Sequence, residues 1–372
     1  MNKDLFNLKY SNKYGSIYTK NTTEEDKILH DEIKWISEML NNYYNNKKVS
    51  IMTPEGIKNE VWESTNSEKD DFHPYINVCC INSLTPNAFA TKLDNEYYIG
   101  IFKGLLIYFK ERLKDFVEDE AFGEIPEIGM VVPYVIHQNL YKNCIKFLSF
   151  HEFFHINNGH CDLSTSIGVS ELCEMENGIK SNNNMIIQTL EYDADCCAIA
   201  ALVNEELRFY QMTFINLGVG NFSCIINSLV QYLSTILISL YIFHNWINSA
   251  YYEGMDINKE TLEDKTHPIP GLRIHYIMLN MFSVIGNWKV FNEEEMKKIQ
   301  ERTINSFFTF VNKFRDISNP LFLKTIIKKE GIDHIQKVHD NWKDVRELLK
   351  NNYSNLAIYS EFEYRKIFNI EE

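Results

Sequence analysis

His151-Glu152-Phe153-Phe154-His155 sets two imidazoles four residues apart, with a carboxylate directly after the first. On a helix, residues four apart share a face one turn apart, so both rings can reach one cation. Glu152 lies about 100° further round the same turn, beside that cation rather than in line with it. A carboxylate placed there can take a proton from water. Catalytic zinc sites use three protein ligands and keep one position open, whereas structural sites are closed by four. The third ligand must come from elsewhere in the chain. His160 does not fit the metzincin spacing, in which a glycine and a histidine follow the second His by three and six residues; Gly159 and His160 follow His155 by four and five. Glu191, in Glu191-Tyr192-Asp193-Ala194-Asp195, is the better candidate. Glu191 and Asp195 share a helical face, so Glu191 can ligate while Asp195 accepts a hydrogen bond from a ligand imidazole, His151 first. The plain alternative for this pair is a solvated acidic face.

The helix that carries the two histidines is apolar almost all round. Ile145, Phe147, Leu148, Phe150, Phe153, Phe154 and Ile156 surround them, which predicts burial. Two imidazoles and a carboxylate in such a place cost several kcal/mol without partners. A divalent cation, one zinc per chain, supplies the missing partner. No CxxC occurs, so a four-cysteine zinc site is not expected.

The 372 residues carry 37 Lys+Arg against 51 Asp+Glu, a net charge of -14, with no long basic cluster. Nucleic acid is thereby set aside as the main partner. No apolar run follows Met1-Asn2-Lys3-Asp4-Leu5, and the cysteines include the adjacent pairs Cys79-Cys80 and Cys196-Cys197. Together these predict reduced thiols and a cytoplasmic protein. Phe209 to Tyr252 contains no Asp, Glu, Lys or Arg, and its length alone would suit a membrane span. Yet Ser223, Asn227, Gln231, Thr235 and Ser239 recur every four residues and form a polar stripe. That pattern favours a buried core helix over residues 222–243 with a satisfied polar seam.

The elements that must position these groups follow from periodicity. Residues 1–75 read as a helical N-terminal region: Thr23 with Asp26 can start a helix carrying Ile28, Leu29, Ile33, Ile36 and Leu40. Trp62 to Pro74 reads as a polar linker. Ala88 to Thr91 and Tyr97 to Phe102 read as strands with a turn at Asp94-Asn95. Helices are expected over 104–118, 136–158 and 185–203, with 161–184 as an exposed loop. Residues 287–372 form a helical C-terminal region, with Ile299, Phe307, Val311 and Phe314 on one apolar face and Ile335, Val338, Trp342, Val345 and Leu349 on another.

The two chemical helices resemble those of the gluzincin metallopeptidases of the CAAX-prenyl-protease and HtpX type, and of the related Lit-type phage-exclusion peptidases. Glu191-Tyr192-Asp193-Ala194-Asp195 resembles their Glu-x-x-Ala-Asp element. Pro86-Asn87-Ala88-Phe89-Ala90 with Tyr98-Ile99-Gly100 and Gly104-Leu105-Leu106 resembles the strand that lines the substrate cleft. Thr266-His267-Pro268 with Arg273 resembles an element near the active site. The resemblance covers about residues 80–280. It implies a mainly α-helical α+β fold, with a zincin-like core and a small antiparallel sheet beside the zinc-binding helix, over a peptidase domain at 76–286. It also implies a zinc-dependent endopeptidase acting on a protein or peptide, with Glu152 as base. His267 or Arg273 would be donor to the developing oxyanion, and Asn87 would bond a substrate backbone. Arg273 has an equal structural reading, holding the Asp195 neighbourhood in place, and Asn87 has one as a turn cap. The membrane members of the family carry several spans, and this chain has one candidate. A single span between Glu191 and His267 would put them on opposite sides of a bilayer, so the soluble form is favoured. The alternatives are a non-catalytic, zinc-stabilised interaction protein and a membrane-associated peptidase of the HtpX type.

Overall fold

Thr23 and Asp26 start a helix by exchanging bonds. The Asp26 N–H donates to Thr23 Oγ1 at 3.1 Å, and the Thr23 N–H donates to Asp26 Oδ2 at 2.8 Å. This reciprocal arrangement satisfies two donors that a helix start leaves open. A computed structural model describes residues 3–20, 22–45, 48–53, 56–61, 76–94, 96–167, 172–173, 183–217, 222–252, 262–314 and 328–352. The expected linker at 62–74 and the Asn-rich part of the expected loop at 177–182 lie outside them.

The chain begins with α1 (Lys3–Tyr14) and α2 (Glu24–Asn45), then β1 (Lys48–Thr53) and β2 (Gly56–Val61). These two strands pair antiparallel, from Lys48↔Val61 to Thr53↔Gly56. The N-terminal region is therefore not helical throughout. β3 (Ile76–Ile81), β4 (Ala88–Leu93) and β5 (Glu96–Phe102) follow, then α3 (Lys103–Val117), α4 (Pro133–Asn157) and α5 (His160–Ser166). The two-residue β6 (Leu172–Cys173) precedes five long helices: α6 (Asn184–Leu217), α7 (Phe222–Tyr252), α8 (Pro270–Asn287), α9 (Glu293–Lys313) and α10 (Lys329–Asn352). The protein is α+β and mainly helical, as expected.

The sheet order is β3-β5-β4-β6. β4 and β5 form the expected hairpin, with Asp94 in the left-handed region at φ 53. The sheet is nevertheless mixed, because β3 runs parallel to β5, with Ile76 opposite Tyr97. Gly100 faces Phe89 across the hairpin ladder, and a Cβ on it would fall 2.5 Å from the Phe89 ring. The ring fills the space that glycine leaves. α5 is a second departure. Residues 161–166, expected in a loop, belong instead to two turns of helix that begin at His160, after Gly159 at φ 80.

The chain divides into two compact units, and the division falls inside α4, after Phe147. The first unit holds residues 1–110, 148–176 and 343–358. Its core is aromatic: Phe6, Tyr10 and Tyr14 on one face of α1 meet Phe89, Tyr98 and Phe102 of the sheet. Tyr10 adds a 2.8 Å hydrogen bond to Thr91.

The second unit holds residues 111–147, 177–342 and 359–372. There α6 packs on α8, and α7 packs on α8 and α9. Ser223–Ile247 is long and apolar enough to cross a membrane, and 72% of its most apolar window is buried within the protein. Its polar stripe is buried only in part. Thr235 accepts from Asn143 at 2.8 Å and Ser239 bonds a carbonyl of its own helix, whereas Ser223 and Asn227 are exposed and Asn227 accepts from Arg302 at 2.8 Å. The apolar faces expected for the last two helices are the buried ones, with Ile299, Phe307, Val311, Val338, Trp342, Val345 and Leu349 all within the core.

α10 is fastened to α6 by a polar relay. His334 Nε2 lies 2.6 Å from Gln188 Oε1, and Gln188 Nε2 donates to the carbonyls of Leu262 and Lys265 at 2.9 and 2.6 Å. Burial, above all, lowers the His334 pKa from 6.5 to about 4, so the folded chain keeps this ring neutral. The unfolded chain binds the proton first as pH falls. Stability from this group is complete above pH 6.5 and drains between pH 6.5 and 4, at about 1.4 kcal/mol per pH unit. His334→Gln keeps a donor for Gln188 but cannot titrate. Urea unfolding in the presence of a chelator should show a shallower loss of stability over that window in the variant. Equal slopes would remove His334 from the acid response.

Candidate metal site

α4 is a 25-residue helix whose interior ends in the pentapeptide singled out above. Tyr43 of α2 meets Phe150 edge-on at 4.8 Å, and also contacts Phe153 and Phe154. These aromatic contacts bury the last turns of α4. His151, Glu152 and His155 are each no more than 1% exposed. The four-residue spacing brings the two rings together: His151 Nε2 lies 2.9 Å from His155 Nε2. Glu191 sits within the opening turns of α6 and is fully buried. One ligand atom from each of His151, His155 and Glu191 lies within 4.8 Å of the others.

This donor set fits a cation. Two nitrogens at about 2.0–2.1 Å from a tetrahedral metal stand about 3.3 Å apart, and the observed 2.9 Å is within half an ångström of that. The two rings can also share a proton at this distance. A cation would take that proton's place and gain the carboxylate as its third protein ligand. Burial, followed by the neighbouring carboxylates, pushes Cys161 and Cys196 well above their ordinary range. The buried His-His-Glu group can therefore hold a metal ion, by residues of the types that divalent transition metals prefer.

His267 belongs to the same neighbourhood. Its Nδ1 lies 3.0 Å from Thr266 Oγ1, and its Nε2 lies 3.4 Å from Glu191 Oε1. With Thr266 donating to Nδ1, Nε2 carries the proton and faces Glu191. From there it can steady that carboxylate.

Asp195 and Arg273 pair with each other. Arg273 donates through Nε to Asp195 Oδ2 at 2.8 Å and through Nη2 to Oδ1 at 2.7 Å. Both residues are buried, and Tyr276, three residues along α8, adds a 2.5 Å bond to Oδ2. Burial, then the adjacent Asp195 charge, pushes the Tyr276 phenol well above its ordinary value, so it remains a donor. This is the structural reading of Arg273, holding the acidic segment in place. The sequence expectation for Asp195, as acceptor from His151, did not include Tyr276. The i, i+3 spacing of Arg273 and Tyr276 was the available signal.

α10 brackets Glu191 on α6. Beyond the Gln188 relay, Asn341 donates to Thr189 at 2.9 Å and Tyr192 OH lies 3.0 Å from His339 Nδ1. Asn87 stands at the start of β4, where its Oδ1 accepts from the Ala88 N–H at 2.9 Å. His160, set aside as a ligand, is fully buried with its Nδ1 3.1 Å from His155 Nδ1. Sequence reasoning gave it no role.

No protein-family model matches the chain, and neither a curated protein nor a solved structure matches it significantly.

The Arg273–Asp195 pair generates a direct expectation. Asp195→Ala strands a buried guanidinium and should destabilise the protein by about 3–5 kcal/mol, whereas replacing both partners with apolar residues should recover much of that loss. Urea unfolding of the single and double variants checks this. An Asp195→Ala protein as stable as its parent would mean that the pair does not hold α6 to α8.

Proposed function

We propose that the protein is a zinc-dependent endopeptidase that hydrolyses peptide bonds of a protein substrate. The observation that carries this reading is the buried His151/His155/Glu191 group with Glu152, equally buried, directly after the first ligand. A purely structural zinc site has four protein ligands and no use for an extra carboxylate. Three ligands plus a base form the set that peptide hydrolysis requires.

His151, His155 and Glu191 would hold the zinc. When bound, the ion supplies Lewis-acid polarisation of the scissile carbonyl and acidifies water toward neutrality. The chain's own residues do the rest. Glu152 removes a proton from the attacking water and returns it to the leaving amine. His267, whose Nε2 lies 3.4 Å from Glu191, would donate to the oxygen on which negative charge develops. Arg273 acts through structure, by neutralising Asp195 on the helix that presents Glu191. The apolar collar of α4 keeps bulk water from these groups, which strengthens every charge interaction among them.

Purified protein should contain one zinc per chain. On cell lysate it should generate new peptide N-termini in a chelator-sensitive manner, read by mass spectrometry. Glu152→Gln preserves size and hydrogen bonding but not basicity. It should retain zinc and lose turnover by about 10²–10⁴-fold. His267→Ala should retain zinc as well and lose about 10²–10³-fold. A zinc-loaded protein whose cleavage is untouched by Glu152→Gln would overturn the mechanism. Zinc without any cleavage would favour a zinc-stabilised binding protein instead.

A further inference from the structure

His155 uses both of its ring nitrogens. Nε2 faces His151 Nε2 at 2.9 Å, and Nδ1 faces His160 Nδ1 at 3.1 Å, with the His155 and His160 ring centroids 5.2 Å apart. A neutral imidazole carries one N–H and one lone pair. If the His155 Nε2 lone pair is to reach a cation shared with His151, the His155 proton must sit on Nδ1. The atom facing that proton, His160 Nδ1, must then be the acceptor, and His160 carries its own proton on Nε2. We propose that His160 is a positioning residue that holds His155 in its Nε2-ligating tautomer and ring orientation. This inference rests on the metal-site reading above and adds to it a residue that the peptidase mechanism does not use.

Metal-bound histidines ordinarily donate their second N–H to a carboxylate, a backbone carbonyl or water. Here a neutral ring takes that place. The choice suits a site that already holds two buried carboxylates, Glu152 and Glu191, because it fixes the ligand without adding a third negative charge.

The placement of His160 is built, not incidental. Gly159, at φ 80, turns the chain between α4 and α5, and His160 is the first residue of α5. This left-handed conformation costs an L-residue with a side chain roughly 1–2 kcal/mol. Two residues further on, Asp162 is clamped from the sheet. Lys92 of β4 donates to Oδ1 at 2.6 Å, and Tyr97 of β5 donates to Oδ2 at 2.8 Å. Lys92 also lies over the Tyr97 ring, 5.2 Å from its centroid. The sheet thus fixes α5, α5 fixes His160, and His160 fixes His155. The one-residue mismatch with the metzincin spacing is what lets the ring back a ligand instead of becoming one.

Selective ¹⁵N-histidine labelling of the zinc-loaded protein reads the tautomers directly. His155 should be the Nδ1–H form and His160 the Nε2–H form. A His160 found with its proton on Nδ1 would overturn the proposal, whatever the variants show. His160→Leu fills the space without an acceptor and should lower zinc affinity by about 10–100-fold, measured by competition with a chromophoric chelator. It should also shift the visible absorption of the cobalt-substituted protein. His160→Asn places Oδ1 near the former Nδ1 and should restore most of the affinity and the cobalt spectrum. Thermal unfolding of the metal-free variants should be similar, separating positioning from loss of packing. A His160→Leu protein with parental zinc affinity and cobalt spectrum would refute the positioning role while leaving the peptidase reading intact. A parent protein that binds no zinc would sink both.

Discussion

Burial of ionisable groups on an apolar helix is the constraint from which the site follows. α4 is wrapped by phenylalanines and by Tyr43, so His151, Glu152 and His155 have lost their water. Imidazoles and carboxylates in such surroundings need partners of matching charge and geometry. A cation bound by His151, His155 and Glu191 meets that need in one step, because it balances carboxylate charge and uses imidazole lone pairs. The aromatic collar would otherwise be a liability. With a cation present it shields the metal ligands from bulk water.

The same economy explains the polar interior around α6. This helix carries Glu191, Asp193 and Asp195 within five residues, all buried. Asp195 is neutralised by the two-point grip of Arg273 and by Tyr276. Arginine suits this task because its planar fork matches both carboxylate oxygens and keeps its charge at any relevant pH. Glu191 has His267 at 3.4 Å. Gln188, Thr189 and Tyr192 are engaged by α10. The C-terminal helix is thus part of the scaffold around the candidate third ligand.

The pairings within the candidate ligand set were legible in the sequence because a helix has fixed geometry. Residues four apart must share a face, so His151 with His155 and Glu191 with Asp195 could be paired before any fold was known. Thr23 with Asp26 and the β4–β5 hairpin were legible for a similar reason, since each is a local motif. What stayed hidden depends on contacts distant in sequence. The parallel placement of β3 against β5 is set by packing across the sheet and by α1, whose aromatic stripe was not recognised as a sheet-covering face. α5 escaped notice because its sequence is polar and short, and the glycine before it reads as a loop marker. The partnership of Asp195 with Arg273 joins residues 78 apart in sequence and was recognisable only as an alternative. The backing of His155 by His160 spans five residues. It required the positive φ of Gly159, which no periodicity reveals.

The central claim is that two imidazoles and one carboxylate form a three-ligand divalent-metal site with a position left open. X-ray absorption spectroscopy at the zinc edge, on purified and zinc-loaded protein, tests it most directly. The account predicts a first shell of nitrogen and oxygen only, four atoms at about 2.0–2.2 Å, with two imidazole outer-shell patterns and no sulfur. His151→Ala should remove one imidazole pattern and Glu191→Ala one oxygen. A sulfur shell at about 2.3 Å would contradict the account, as would an absorption edge unchanged by either substitution.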